Sequence, residues 1–152
     1  MFLSTSHNKI DKKGRVSVPA SYRSQIEAEG GPLILFKSLQ FKCLEGTSLK
    51  RMIQYVDAID ELDAMSNEAL ILRMMMADSF EIKFDTEGRI VLPESLISFA
   101  EIKGLAIFMG IGRSFLIWSE NEYTKQYNNT RNILLKNGPP KLILKKKKEI
   151  YD

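Results

Sequence analysis

The sequence predicts an α+β fold, with two tandem β-rich units separated by a pair of helices. The nine residues D-K-K-G-R-V-S-V-P at positions 11–19 recur as D-T-E-G-R-I-V-L-P at positions 85–93, 74 positions later. Around this motif, 36 aligned positions starting at Ile10 and Phe84 contain nine identities without a gap. A motif embedded in so long a repeat indicates a duplicated structural unit.

Each unit is expected to begin with a hairpin that leads into a short helix. Gly14 and Gly88 occupy the turn of the hairpin, where a positive φ is needed that glycine adopts without a steric penalty. Pro19 and Pro93 end the strand after the turn and preset φ for the first turn of a helix. The predicted helices cover residues 20–27 and 94–100.

Apolar runs after these helices predict the remaining strands, which cover residues 33–36, 102–109 and 115–118. Between the units, apolar residues at helical spacing predict an amphipathic helix with Thr47 or Ser48 as its N-cap, and a Met-rich helix starting near Ser66. The default interpretation of the Met-rich face is core, and the alternative is a contact surface. A capping-box pattern at residues 119–122 begins a last helix.

The chain is therefore divided into four parts. The first unit covers residues 1–46, a helical connector covers 47–79, and the second unit covers 80–127. Residues 128–152 form the end of the last helix and a lysine-rich tail. Such a lysine run is usually a solvated segment and less often a nucleic-acid arm.

The charge is unevenly distributed. The formal net charge of +3 equals the charge of residues 141–152 alone, where five lysines face two acidic residues, so the preceding residues sum to zero. A surface that binds a polyanion must therefore be local. The first turn, residues 11–15, sums to +2, whereas the second turn, residues 85–89, sums to −1.

Each turn pairs an aspartate with an arginine four residues later. The carboxylate of Asp11 or Asp85 can hold the guanidinium of Arg15 or Arg89 in one orientation, ready for a phosphate or a guanine edge. The alternative is that each pair only staples its own turn, which contributes little on a surface. Candidate DNA-binding residues are Asp11, Lys12, Lys13, Arg15, Asp85 and Arg89, with Gly14, Gly88, Pro19 and Pro93 shaping the turns.

Other classes of function find little support in the sequence. The one histidine and one cysteine, His7 and Cys43, form no metal-ligand cluster, and Cys43 in its apolar stretch is expected to be an inert core residue. We find no nucleophile with a partner base and no glycine-rich phosphate loop, so no enzyme activity and no cofactor are expected. No apolar run is long enough for a membrane span, and no signal peptide is seen.

These motifs resemble those of the MraZ family of bacterial proteins, over residues 1–127. The shared features are His7-Asn8 before Ile10-Asp11, the Lys13-Gly14-Arg15 turn, Phe80 to Lys83 before the second turn, and Gly110-Ile111-Gly112 followed by Phe115, Ile117 and Trp118. The resemblance implies two tandem SpoVT-AbrB-type units, whose swapped hairpins form a pseudo-twofold barrel with short helices.

The resemblance also implies a function. It indicates a transcriptional regulator of its own division and cell-wall gene cluster, which binds repeated promoter elements in double-stranded DNA through the two turns. It further implies a cytoplasmic, nucleoid-associated homo-oligomer that forms a ring of about eight or more subunits. An AbrB-type antitoxin and a purely structural oligomer without DNA binding are the alternatives. The second turn departs from the family pattern, because Thr86 and Glu87 replace basic or amide residues.

Overall fold

The computed structural model describes residues 1–146 of the 152-residue chain and has an α+β architecture. The strands are β1 (Thr5–Lys9), β2 (Arg15–Ser17), β3 (Leu33–Lys37), β4 (Leu44–Ser48), β5 (Phe80–Ile82), β6 (Arg89–Val91), β7 (Leu105–Gly110) and β8 (Phe115–Trp118). The helices are α1 (Ala20–Glu29), α2 (Leu49–Asp60), α3 (Asn67–Ala77), α4 (Glu94–Ala100) and α5 (Glu120–Asn137).

The strands form one large sheet and one small ribbon, all antiparallel. The large sheet has the order β1-β7-β8-β4-β3-β5, and the ribbon consists of β2 and β6. The repeats exchange strands, since β1 of the first repeat pairs with β7 of the second, and β5 of the second pairs with β3 of the first. The large sheet stays open, with β1 and β5 as its edges, so the described residues do not form the closed barrel that was expected.

The sheet separates two layers of packing. On one side, the main core joins the sheet to the ribbon and to α1 and α4, with Val16, Ile90, Tyr22 and Leu96 all buried. On the other side, α2 and α3 cover β3 in one cluster, and the start of α5 lies over β7 and β8 in another. The ribbon and the helices α2, α3 and α5 therefore lie on opposite sides of the large sheet.

The predicted helices are present, and serines cap three of them. Ser48 accepts the backbone N–H of Arg51 at 3.1 Å, while Thr47, the other candidate, is buried in β4. The side chains of Ser66 and Ser119 accept equivalent bonds at 3.2 Å, at the starts of α3 and α5. Helix α1 runs two residues past its predicted end. Strand β7 begins at Leu105, three residues later than predicted.

The repeat is shorter than the gapless comparison suggests. Val16 pairs with Ile90, so the offset of 74 holds at the ribbon. Leu33 faces the main core, as does Ala106, whereas Ile107 faces the opposite side of the sheet. A shift of one residue along a strand moves every side chain to the other face of the sheet. Leu33 therefore corresponds to Ala106 and not to Ile107.

Two smaller expectations have clear outcomes. Cys43 is fully buried, and burial raises the pKa of its thiol to about 12, so the prediction of an inert core cysteine is confirmed. The Met-rich helix is only partly core, because Met75 is buried while Met74 is exposed.

No helix among residues 1–146 is long and apolar enough to cross a membrane. The lysine tail is described only as far as Lys146, where it has neither helix nor strand.

Candidate nucleic-acid interface

The two predicted turns have nearly the same backbone. In the first, the backbone carbonyl of Asp11 accepts the N–H of Gly14 at 3.0 Å, and the backbone N–H of Asp11 donates to the carbonyl of Arg15 at 3.0 Å. In the second, Asp85 makes the equivalent bonds with Gly88 and Arg89 at 3.1 and 2.9 Å. Gly14 and Gly88 have φ values of +82° and +76°, as predicted from the need for glycine at these positions.

The carboxylate of each aspartate accepts three hydrogen bonds in the same way, and two of the three come from its arginine. One oxygen of Asp11 accepts the N–H groups of Lys13 and Arg15 at 3.0 and 2.9 Å, and the other accepts Nε of Arg15 at 2.7 Å. Asp85 accepts the equivalent bonds from Glu87 and Arg89, all at 2.8 to 2.9 Å. The bond to Nε restrains the plane of each guanidinium and uses none of its terminal Nη groups.

These bonds affect the titration of the carboxylates. For both Asp11 and Asp85, the backbone N–H of the paired arginine is the largest cause that holds the pKa of the carboxyl below its ordinary value. The pKa of the Arg89 guanidinium is raised, first by its hydrogen bond to Asp85 and then by Glu87. Both aspartates are therefore ionised at neutral pH and act as permanent acceptors in the turns.

The lowered pKa values predict how the stability of each turn depends on pH. A group whose pKa is lower in the folded state stabilises the fold above its unfolded pKa, and that contribution disappears as pH falls through the folded pKa. We expect Asp11→Asn to unfold at lower urea concentration than wild type at neutral pH. The gap should close as pH falls below 3.8, the ordinary value for aspartate. Urea titrations from about pH 7 to pH 2 measure this, and a gap that does not change with pH would contradict it.

The ribbon brings both arginines to one surface. Arg15 lies opposite Val91, and Arg89 lies opposite Ser17. Between them, Val16 pairs with Ile90, and both of these side chains point into the core. Arg15 and Arg89 are thus diagonal neighbours on the outer face, where such residues are about 7–8 Å apart. They line one shallow depression together with Lys9, Asp11 and Ser17.

The two turns differ in the charges around the arginines. Lys12 and Lys13 in the first turn are exposed, and neither forms an ion pair within residues 1–146. In the second turn, Oε2 of Glu87 lies 3.3 Å from Nη2 of Arg89. In the part of the chain that the structure describes, no equivalent carboxylate contacts the Nη groups of Arg15. Arg15 is therefore free to bind an outside acceptor, whereas Arg89 is partly occupied.

The prolines lie behind the turns, where each begins a helix. The carbonyl of Pro19 accepts the N–H of Tyr22 and Arg23 at 3.0 and 3.1 Å, and the carbonyl of Pro93 accepts equivalent bonds from the start of α4. Both prolines are half-buried and stand at the N-cap of a helix, and their role in shaping the turns stays a prediction. They set where α1 and α4 start relative to the ribbon.

The sequence comparison missed Arg23, which lies against the second turn. A Cβ at Gly88 would overlap the guanidinium of Arg23. Nε of Arg23 also donates to the carbonyl of Val18 at 3.2 Å. The equivalent place behind Gly14 is taken by Ile97, whose Cδ1 lies 3.3 Å from where a Cβ would be. Arg23 therefore brings a positive charge to the turn with the lower net charge. Nothing in the sequence indicates this contact, because it joins α1 of one repeat to the turn of the other.

A second missed residue is Lys9, which the repeat itself identifies. Lys9 is exposed at the end of β1 and lines the same depression as the two arginines. It stands 74 positions before Lys83, another exposed lysine, so the identity between repeats extends one position before the stretch that was counted. The outer face of the ribbon thus carries more positive charge than the turns alone suggest.

This arrangement fits contact with nucleic acid. Fixed guanidinium groups with free Nη donors can bond a phosphate or the edge of guanine in two places. Flanking lysines add charge that attracts the phosphate backbone. Within residues 1–146, no group of three or more histidine, cysteine or acidic side chains is arranged to hold a metal ion.

The chain is similar to known proteins over most of its length. The chain matches the profile of the family described as "MraZ protein, putative antitoxin-like" over residues 1–73 and 75–143. It is 38% identical over 133 residues to a Pelagibacter ubique protein named transcriptional regulator MraZ, covering 86% of each chain. Proteins of the same name from Gluconobacter oxydans and Rickettsia canadensis are 38% and 35% identical. Those alignments cover 78% and 88% of this chain, and 76% and 91% of the relatives.

Two findings agree on the family. The match to the family profile spans nearly all the described residues, including both turns. The relatives are similar over most of their own length as well as over most of this chain. The chain therefore belongs to the MraZ family.

Proposed function

We propose that this protein is a DNA-binding transcriptional regulator that acts through the outer face of its β2–β6 ribbon. The observation that carries the proposal is the pair Arg15 and Arg89, each fixed by its own aspartate and both on one exposed face. The names of the relatives support regulation of transcription. The DNA-contacting residues are Asp11, Lys12, Lys13, Arg15, Asp85 and Arg89.

The proposal includes the target and the assembly. The DNA consists of repeated promoter elements upstream of the protein's own division and cell-wall gene cluster, so the protein works in the cytoplasm at the nucleoid. A single chain offers few phosphate contacts, which give weak binding at physiological salt. A homo-oligomeric ring of about eight or more subunits binds several repeats at once, and linked weak sites gain about 10²–10⁴ in avidity.

The strand exchange supports the swapped-hairpin interpretation of the repeats. The first strand of each repeat pairs with a strand of the other repeat, and the two second strands pair about Val16 and Ile90. On this basis we propose SpoVT-AbrB-type units at residues 1–46 and 80–127, joined by the connector 47–79. Residues 128–152 then extend beyond the second unit.

Fluorescence anisotropy with promoter DNA tests the proposal. Fragments with one, two and four copies of the upstream repeat are titrated with protein at several salt concentrations. We expect affinity to rise steeply with repeat number and to fall with salt, because each neutralised phosphate releases counterions. Equal affinity for one repeat and for four would contradict simultaneous binding. Absence of binding to any fragment would favour a structural oligomer, whose turns bridge subunits.

The contact between Glu87 and Arg89 predicts a variant that binds DNA more tightly. Glu87→Gln removes the 3.3 Å ion pair, frees Nη2 of Arg89 and removes a negative charge next to the phosphates. We expect affinity to increase by about twofold to fivefold, since an exposed ion pair contributes up to ~1 kcal/mol. Anisotropy titration of the four-repeat fragment measures it.

Glu120→Gln is the matched control for that variant. It removes the same charge from the first turn of α5, on the opposite side of the sheet from the ribbon. A general effect of net charge would change both variants equally. Equal affinity for Glu87→Gln and wild type would show that the second turn does not contact DNA.

A further inference from the structure

Helix α3 is apolar on its outer side as well as on its inner side. Ala69 and Met75 are buried against the sheet, as expected for an amphipathic helix. However, Leu70, Ile71 and Met74 on the outer side are 65%, 46% and 56% exposed. A helix that is apolar all round is normally covered on both sides. Nothing within residues 1–146 covers this outer face.

Helix α5 is also poorly covered, because it is exposed over most of its length. Its first turns lie over the sheet through Tyr123, but none of its 18 residues is buried, and every side chain from residue 127 to residue 137 is exposed. Tyr127 and Leu134 continue the apolar stripe that Tyr123 starts, and Ile133 lies beside it. An isolated helix of this length is marginal in water, so most helical stability comes from packing. This stripe is a second uncovered apolar surface.

The two surfaces carry opposite charges. Residues 57–78, which include all of α3, hold six acidic residues and one basic residue, Arg73. Residues 120–146, which include all of α5, hold six lysines and arginines and two acidic residues, Glu120 and Glu122. Each segment repels a copy of itself and attracts the other. Charge thus favours contact between unlike surfaces over contact between like ones.

We infer that α5 of one copy docks on the outer face of α3 of the next copy. The inference rests on the proposed ring and names the surfaces that build it. Contact between two different surfaces is head-to-tail, and repetition of such a contact closes a ring or extends a filament. Both helices lie on the side of the sheet opposite the ribbon, so docking leaves Arg15 and Arg89 accessible.

Mixing two variants tests this directly by size exclusion with light scattering. The acceptor variant, Leu70→Lys/Met74→Lys, keeps a normal α5, and the donor variant, Ile133→Lys/Leu134→Lys, keeps a normal α3. Lysine is a good helix former, and all four positions are exposed, so both variants should fold. Circular dichroism confirms folding, and Val91→Lys, on the exposed face of the ribbon, is the control that should assemble like wild type.

The expected masses distinguish the arrangements. Each variant alone should run as a 17.4 kDa monomer, and the mixture should give a species of twice that mass, because one intact pair of surfaces remains. Dimers of either variant alone would show contacts between like surfaces and overturn the inference. Assembly of both variants to the size of wild type, or a monomeric wild type, would also overturn it. No DNA is present, so these outcomes are independent of whether the turns bind DNA.

Discussion

Arg15→Ala is expected to reduce affinity for promoter DNA by at least tenfold for one repeat, and by more than a hundredfold for several repeats together. A bidentate arginine contact contributes about 1–3 kcal/mol, and each 1.4 kcal/mol is a factor of ten. The losses of binding free energy at several linked hairpins add, which is why the effect grows with repeat number. The turn itself should survive, because Asp11 still accepts the two backbone N–H groups.

Two further variants separate charge from geometry in this prediction. Arg15→Lys keeps the charge but loses the planar fork and the bond from Nε to Asp11, so it should recover only part of the affinity. Arg89→Ala should cost less than Arg15→Ala, because Glu87 already occupies Nη2. Anisotropy and light scattering are measured on the same samples. If Arg15→Ala disassembles the protein, the turn belongs to a subunit interface and the proposed role is wrong.

Phe115→Ala is expected to lower the free energy of unfolding by about 3–5 kcal/mol, the usual range for removing a buried phenylalanine. The ring is fully buried, and its centroid lies 5.0 Å from that of Tyr22 and 5.2 Å from that of Phe2. It also covers Gly46 so closely that a Cβ there would overlap the ring. These neighbours come from the N-terminal segment, α1 and β4 of the first repeat, whereas Phe115 belongs to the second, so the cavity cannot be closed by a local shift.

Urea denaturation at a fixed protein concentration measures this loss, because the proposed assembly would add to apparent stability. The matched control is Phe80→Ala, which removes the same side chain from an edge strand where it is 37% exposed. We expect its effect to be less than half as large. Equal losses for the two variants would show that burial of Phe115 in the core is not what makes it important.

The local geometry of the site could be predicted from the sequence. Glycine at a position that requires positive φ, together with an aspartate before it and a proline after it, determines a turn within nine residues. The structure has the same turn at Gly14 and Gly88, with the predicted contacts between each aspartate and its arginine. The helix caps at Ser66 and Ser119 follow from equally local rules.

Contacts between the repeats could not be predicted in this way. The pairing that places Arg15 and Arg89 on one face joins strands far apart in the sequence, and so does the packing of Arg23 on Gly88. The one-residue shift between the repeats at Leu33 could not be predicted from the sequence either. The sheet is covered on both faces, so apolar residues point to both sides of it. Alternation then gives no indication of which side is the main core.

The inequality of the two turns has a consequence for the DNA. If two identical chains supplied one turn each, every substitution would appear twice, and the preferred DNA would read the same on both strands. Joining the repeats in one polypeptide allows Thr86, Glu87 and Ile97 to differ from their counterparts Lys12, Lys13 and Arg23. The element bound by one chain should therefore have a direction. The proposed ring of such chains would then favour elements arranged as direct repeats, all pointing the same way along the promoter.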